Sequence, residues 1–452
     1  MLFVDRQREL ARLRRSFDGA PGAMVCVWGR RRLGKSRLVR EAVSGRPHVW
    51  AVGDARGPPL HREAVAREMG RLVPGFDAVT YPSWDVLMER FWTDAPVGAV
   101  LVLDEFPEFV GPSPELAGVL QRLVDRGHGP HLALCGSSQR MMHGLVLDAT
   151  APLFGRAQEV LKVEPMAPRW LQQALSLGSA REVVERYAVF GGVPRYWELT
   201  VPFADTRSAV SDLVLDPLGV LHDEPSRLLL DDLAEVARAA SILALVGAGA
   251  SRLSEIAGRI GQPASSLTRP VGRLVDLGLI QRETPFGVPA RDSKRTLYTV
   301  ADPLLAFWYR FVDPNRGRLG AGALEAVAAD VWSAFPQHLG QRWEGLARWR
   351  VSAAPIAGGS WGPATRWWGT GLDGSRLELD VVAERPDGRV LVGEAKLKVT
   401  RREVPRLIAA LREKARCCPP LADREIVLTI WALDGPEAEG VIGPSAMLEP
   451  ST

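Results

Sequence analysis

The chain reads as an α/β multidomain protein built on a P-loop core, and three features predict this. A G-x-x-x-x-G-K-[ST] loop, Gly29-Arg30-Arg31-Arg32-Leu33-Gly34-Lys35-Ser36, follows the short apolar run Ala23 to Trp28 directly. A second apolar run, Ala99 to Leu103, ends in Asp104-Glu105. Strand-like and helix-like segments alternate through the first 165 residues, as a parallel sheet requires.

Each part of the loop has a physical task. Lys35 to Ser44 forms a helix whose N-terminus, with the preceding amides of residues 29–36, attracts phosphate oxygens. Lys35 supplies a point charge to the terminal phosphates, and the Ser36 hydroxyl is placed to ligate Mg2+. The chain has six lysines among its 452 residues and uses arginine almost everywhere else, so a lysine here is not compositional noise. Asp104 is the second expected Mg2+ ligand, and Glu105 the base that orients and deprotonates a water. A third strand, His131 to Cys135, leads to Gly136-Ser137-Ser138. One of the two serines is expected to sense the terminal phosphate.

Composition sets the limits around this core. With 46% apolar and 24% charged residues the sequence is that of a globular protein, and +3 is too small a net charge to imply a polyanion partner by itself. No apolar stretch reaches membrane-spanning length, and the first residues do not read as a signal peptide, so a cytoplasmic protein without a membrane partner is expected. Cys26 and Cys135 lie in strand-like runs as core residues. The adjacent Cys417 and Cys418 suit neither a disulfide nor a zinc knuckle.

Downstream the pattern changes. Residues 166–226 read as helical, and 227–300 as short amphipathic helices followed by a hairpin. Ser251 is the expected cap of a helix carrying Leu253, Ile256, Ala257 and Ile260 on one face. Ser265 to Leu277 supplies a second helix, and Glu283 to Leu297 a wing with Arg291, Lys294 and Arg295: a winged helix-turn-helix. Two readings stand for it, DNA contact through Arg269, Arg273 and the wing, or docking to protein. Pro270 and Gly272 weaken the recognition helix.

After a helical linker, 301–335, residues 336–435 bring strands. Leu377 to Val382 contains Asp380, and Val390 to Lys396 contains Glu394 and Lys396, joined by a Pro386-Asp387-Gly388 turn. Residues two apart on a strand share a face, so Glu394 and Lys396 point together and an in-register hairpin adds Asp380. Two carboxylates and a lysine suit metal-dependent phosphodiester hydrolysis: Asp380 and Glu394 as metal ligands, Glu344 as a further one, Lys396 steadying charge. Residues 436–452 read as a tail.

These motifs, with Phe3-Val4-Asp5-Arg6, Glu9-Leu10, Gly155-Arg156 and Gly191-Gly192-Val193-Pro194-Arg195-Tyr196, resemble the archaeal-type ATPase family, related to the AAA-like and signal-transducing NTPases. The resemblance implies ATP with Mg2+ and an N-terminal segment that helps to hold adenine. It further implies an arginine at Arg156 reaching a phosphate, in the same chain or a neighbouring subunit of a homo-oligomer, and a lid hinged at Gly191 to Pro194. The C-terminal part resembles the PD-(D/E)XK nuclease-like domain that accompanies this family. The expected function is an ATPase whose nucleotide state controls a nuclease-like, DNA-acting module. The alternative is a nucleotide-gated switch that binds protein or DNA with an inert nuclease fold.

Overall fold

The computed structural model describes residues 3–137, 139–232, 236–289 and 295–449, the side chains of Gln139, Arg140, Asp231 and Asp232 excepted. The chain divides into two compact units, one of residues 5–165 and one of residues 1–4 with 166–452.

In the unit of residues 5–165, five parallel strands form one sheet. They are β1 (Met24–Trp28), β2 (His48–Val52), β3 (Val100–Asp104), β4 (His131–Gly136) and β5 (Ala157–Lys162), in the order β2-β3-β4-β1-β5. β1, β3 and β4 are almost wholly buried, which is why they read as continuous apolar runs. β4 lies between the loop-bearing strand and the acidic strand. Trp28 pairs with Gly136 and Leu103 with Leu134, so the C-terminal ends of all three lie side by side. Ligands of open α/β sheets bind at that end. Cys26 and Cys135 are core residues, and burial pushes the Cys26 thiol up to about 12.

The other unit packs three pieces together. Helices Pro168–Leu175, Ala180–Phe190, Pro194–Thr200 and Thr206–Val210 form the helical segment. Helices Val236–Gly247, Leu253–Ile260 and Ala264–Asp276, with the antiparallel pair β6 (Ile280–Glu283) and β7 (Leu297–Val300), make the winged helix. The cap of Leu253–Ile260 is Arg252, not Ser251: Ser251 is one residue too early, and its amide instead donates to Glu255. Ala264–Asp276 runs through Pro270, held by buried Leu267, Val271 and Leu274. Burial of that apolar face outweighs the local cost of the proline.

The C-terminal domain has a thirty-residue helix, Leu324–Ala353, and a mixed sheet of β8 (Thr365–Thr370), β9 (Arg376–Glu384), β10 (Val390–Lys398), β11 (Ile426–Asp434) and β12 (Val441–Ile442). Its order is β12-β11-β10-β9-β8. β9 and β10 form an antiparallel hairpin, whereas β10 and β11 are parallel and joined by helix Val404–Cys417. The element order of this domain is α-β-β-β-α-β, followed by the short edge strand β12. The described part of the tail, residues 436–449, is structured: β12 extends the sheet, Met447 is buried, and the Ala446 carbonyl accepts from Arg350 at 2.5 Å.

The three pieces share cores. His338 of the long helix is fully buried, bonds the Ala188 carbonyl of the helical segment at 3.0 Å, and packs among Phe307, Phe311 and Phe335. Just beyond β6, Phe286 packs into the C-terminal core, and its amide donates to the Arg366 carbonyl on edge strand β8. The long helix is pinned by Trp343, whose indole N–H donates to the Trp431 carbonyl at 3.0 Å. Trp343→Ala is expected to destabilise this unit by about 3–5 kcal/mol, read as a lower urea midpoint with unchanged slope.

Candidate functional site

The phosphate loop is shaped by backbone conformations that a side chain resists. Gly29 has φ of 143°, and a Cβ there would lie 2.6 Å from the Val163 carbonyl oxygen. Gly34, φ 87°, caps the helix Lys35–Val43 in the left-handed region. Between them Arg32 also takes a positive φ, 69°. The loop therefore turns its backbone over the end of β1 and delivers the helix N-terminus there.

Lys35 is buried, and its ammonium donates to the Arg30 carbonyl at 3.1 Å. Burial pushes its pKa down, while the Glu105 and Asp104 carboxylates work against that shift. Asp104, also buried, shows the mirror effect: burial pushes its carboxyl up, against a hydrogen bond from the Ser36 hydroxyl. Ser36 and Asp104 thus present two hard oxygen donors at the neighbouring ends of the loop and β3, a set that fits Mg2+.

Glu105 sits at the start of a short helix, Phe106–Val110, with φ of 51°. Its carboxylate accepts two hydrogen bonds from Ser137, from the hydroxyl at 2.8 Å and the amide at 3.1 Å. Arg31 donates to the same hydroxyl at 3.3 Å. The ends of β1, β3 and β4 are therefore linked through Lys35, Ser36, Asp104, Glu105 and Ser137. Ser138 lies outside the described residues.

Arg156 is not part of this group. Its guanidinium forms a two-pronged pair with Asp125 at 2.7 and 2.9 Å and donates to the Pro152 and Phe154 carbonyls. The next residue, Ala157, pairs with Met24, at the end of β1 opposite the loop. At about 3.3 Å per residue, the strand alone sets Arg156 more than about 10 Å from the phosphate loop of its own chain. Arg6 is the N-terminal motif residue that does lie near: buried, it pairs with Glu9 at 3.1 Å and donates to the Glu164 carbonyl just past β5.

In the C-terminal domain the hairpin registers Gly393 against Val381, which sets Glu394 beside Asp380. The Asp380 carboxylate accepts from the Ala395 amide at 2.9 Å, and Arg348 of the long helix holds the Asp380 carbonyl at 2.9 Å. Glu394 receives Lys396 on one oxygen at 2.8 Å and Lys414 on the other at 2.7 Å. Burial works to raise the Glu394 pKa, but the two ammonium groups outweigh it and hold the carboxyl below its ordinary value. Burial first, then the Asp380 charge, pushes Glu344 up to about 7.

These charges interact, yet the residues do not make the expected metal centre. Among the described residues no group of three His, Cys, Asp or Glu is placed to hold a metal ion. The physical reason lies in Glu394, both of whose oxygens are neutralised by lysines. Glu344, Asp380 and Glu394 as arranged do not fit a resident cation. Sequence reasoning missed Lys414, which the scarcity of lysine signals: two of the six converge on one carboxylate.

The wing cations are also redistributed. Arg291 and Lys294 lie outside the described residues, and Arg295 donates to the Trp368 carbonyl on β8. Arg269 is exposed and Arg273 half-exposed on the second helix of the motif.

Fold and site together define a P-loop NTPase architecture joined to a winged helix and a separate C-terminal sheet domain. Residues 308–407 match the DUF234 family, described as archaeal and bacterial proteins of unknown function, and residues 235–284 match the IclR helix-turn-helix domain. The chain is 28% identical over 429 residues to an uncharacterized protein of Methanocaldococcus jannaschii, covering 92% of each. Its fold is similar to that of a Walker-type ATPase of Pyrococcus abyssi, at TM-score 0.54 and 19% identity over 68% of this chain and 96% of that one. A further similarity, TM-score 0.45 and 17% identity over 74% of this chain and 95% of the other, is to the ORC2 protein of Aeropyrum pernix in ADPNP-ADP complexes. The fold is thus similar to that of a Walker-type ATPase, with a segment that matches a helix-turn-helix domain. No described helix is long and apolar enough to cross a membrane.

The raised pKa of Glu344 has a consequence for stability. A carboxyl raised from its ordinary value to about 7 favours folding fully below its unfolded pKa, and that contribution is lost as pH rises through about 7. Glu344→Gln is therefore expected to be more stable than the parent at pH 8, on the order of 2 kcal/mol, with the gap closing by about pH 5. Urea titrations of both proteins across this range check it.

Proposed function

We propose that the chain binds ATP with Mg2+ at the loop of residues 29–36 and hydrolyses it, and that nucleotide state sets the attitude of the C-terminal module. The observation that carries this is the convergence of Lys35, Ser36, Asp104, Glu105 and Ser137 at the ends of three adjacent strands.

The residues divide the chemistry. The amides of Arg31 to Ser36 and the helix N-terminus receive phosphate oxygens, and the Lys35 ammonium exchanges the Arg30 carbonyl for them. Ser36 and Asp104 would hold Mg2+, which when bound offsets charge on the transferred phosphoryl group. Glu105 accepts the proton of a water, and Ser137, with two hydrogen bonds, keeps that carboxylate at the end of β3. Its own strand carries Arg156 away from the loop, so the phosphate it would reach is a neighbouring subunit's.

The helical segment and C-terminal domain share buried contacts at His338, which supports motion of the two as one body. Such a body would transmit closure over nucleotide without a separate hinge between them. For the C-terminal module, the two lysines on Glu394 favour the inert reading: a nuclease-like fold that binds nucleic acid and does not cut it.

Two measurements test these readings. Lys35→Ala should lose nucleotide affinity, whereas Glu105→Gln should bind ATP and turn it over at least about 100-fold more slowly; unchanged turnover in Glu105→Gln removes that residue from its role. Supercoiled plasmid should stay intact with the full chain in Mg2+ or Mn2+, and nicking that disappears in Glu394→Ala would restore the nuclease reading.

A further inference from the structure

Between the winged helix and the edge of the C-terminal sheet lies a cleft of about 440 Å3, within the size range of small-ligand sites. Arg252 and Arg295 enter it from the winged helix, Trp367 and Trp368 from β8, and Pro419 and Pro420 from the turn after helix Val404–Cys417. No carboxylate is among the lining residues. Arg252 is exposed, and among the described residues it has no ion pair.

The walls are built with some care. Arg295 reaches the Trp368 carbonyl and lies 6.0 Å from the centre of the Trp367 ring. It can do so because residue 369 is glycine: a Cβ there would meet the guanidinium at 2.6 Å. Trp367 is 2% exposed, and its indole N–H is buried without an acceptor. The half-buried ring of Trp368 carries Arg366 4.9 Å from its centre. Arg366 in turn pairs with Glu378 at 3.3 Å, and both act electrostatically on Glu344.

Two guanidinium groups, indole surface and no negative charge suit a ligand with a flat ring and a phosphate. We propose that this cleft takes one nucleotide of a single-stranded nucleic acid, the base stacking on Trp368 and the phosphate held by Arg252 and Arg295. Aromatic stacking accepts any base, and guanidinium groups track the backbone, so the site prefers single strands without strong sequence preference. The proposal rests on the nucleic-acid-binding reading of the C-terminal module and gives it a place.

The test is anisotropy of fluorescein-labelled oligo-dT and oligo-U on the full-length protein, beside a matched duplex and AMP, the latter in a Lys35→Ala background that disables the phosphate loop. Single-strand binding that weakens about tenfold in Arg252→Glu and in Trp368→Leu, with recovery in Trp368→Phe and ATP turnover unchanged in Arg252→Glu, supports the cleft. Arg252→Glu is exposed and leaves the fold intact, so the result does not hang on the tryptophan variants. Parent-like strand binding by both Arg252→Glu and Trp368→Leu overturns the cleft and spares the wider reading. AMP binding without strand binding overturns the single-strand assignment. Absence of any strand binding by the parent protein overturns both.

Discussion

A buried ammonium held by one carbonyl oxygen governs the unit of residues 5–165. Lys35 lies where charge is costly, and its hydrogen bond runs to the Arg30 backbone. Two carboxylates, Asp104 and Glu105, feel that charge without taking it up as an ion pair. Such a group is stabilised by an incoming polyanion far more than a solvated lysine would be, because the surroundings screen little. The glycine conformations, the β1-β4-β3 adjacency and the Ser137 clamp on Glu105 all serve to keep this charge and these carboxylates in fixed relation.

The remaining pieces follow a different rule, in which apparent surface devices are used for packing. The chain after β6 has the place of a wing, yet it inserts Phe286 into the C-terminal core and pairs its amide with an edge strand. Glu283, nearly buried, bridges Arg366 at 2.6 Å and Arg348 at 3.9 Å, and Arg348 also holds Asp380. Covering the β8 edge with wing backbone removes an open row of hydrogen-bonding groups. It also ties the winged helix to the carboxylate cluster, so the two form a common surface.

Sequence legibility tracked how local each feature is. The loop from Gly29 to Ser36 and the acidic end of β3 were readable because each is a contiguous pattern whose neighbours are forced by parallel-sheet geometry. The Asp380, Glu394 and Lys396 grouping was readable from strand alternation and one turn. The Lys414 partner of Glu394 was not, since it arrives from a helix twenty positions on. The Arg156 pair with Asp125 joins residues thirty-one apart across β4 and the segment that follows it, and arginine is too common here for its position to speak. The docking of Phe286 was hidden because Thr284-Pro285-Phe286-Gly287 has the composition of an ordinary turn. The fold likeness to a Walker-type ATPase supports the architecture alone and leaves chemistry to the residues.

Every role assigned to the unit of residues 5–165 requires that the loop grip a triphosphate. Calorimetric titration of the full chain with ATP, in the presence and absence of Mg2+, measures this directly. One nucleotide per chain, bound more tightly with Mg2+ than without, is the predicted result. No heat of binding at millimolar ATP with Mg2+ would contradict it, whatever the C-terminal domain proves to hold.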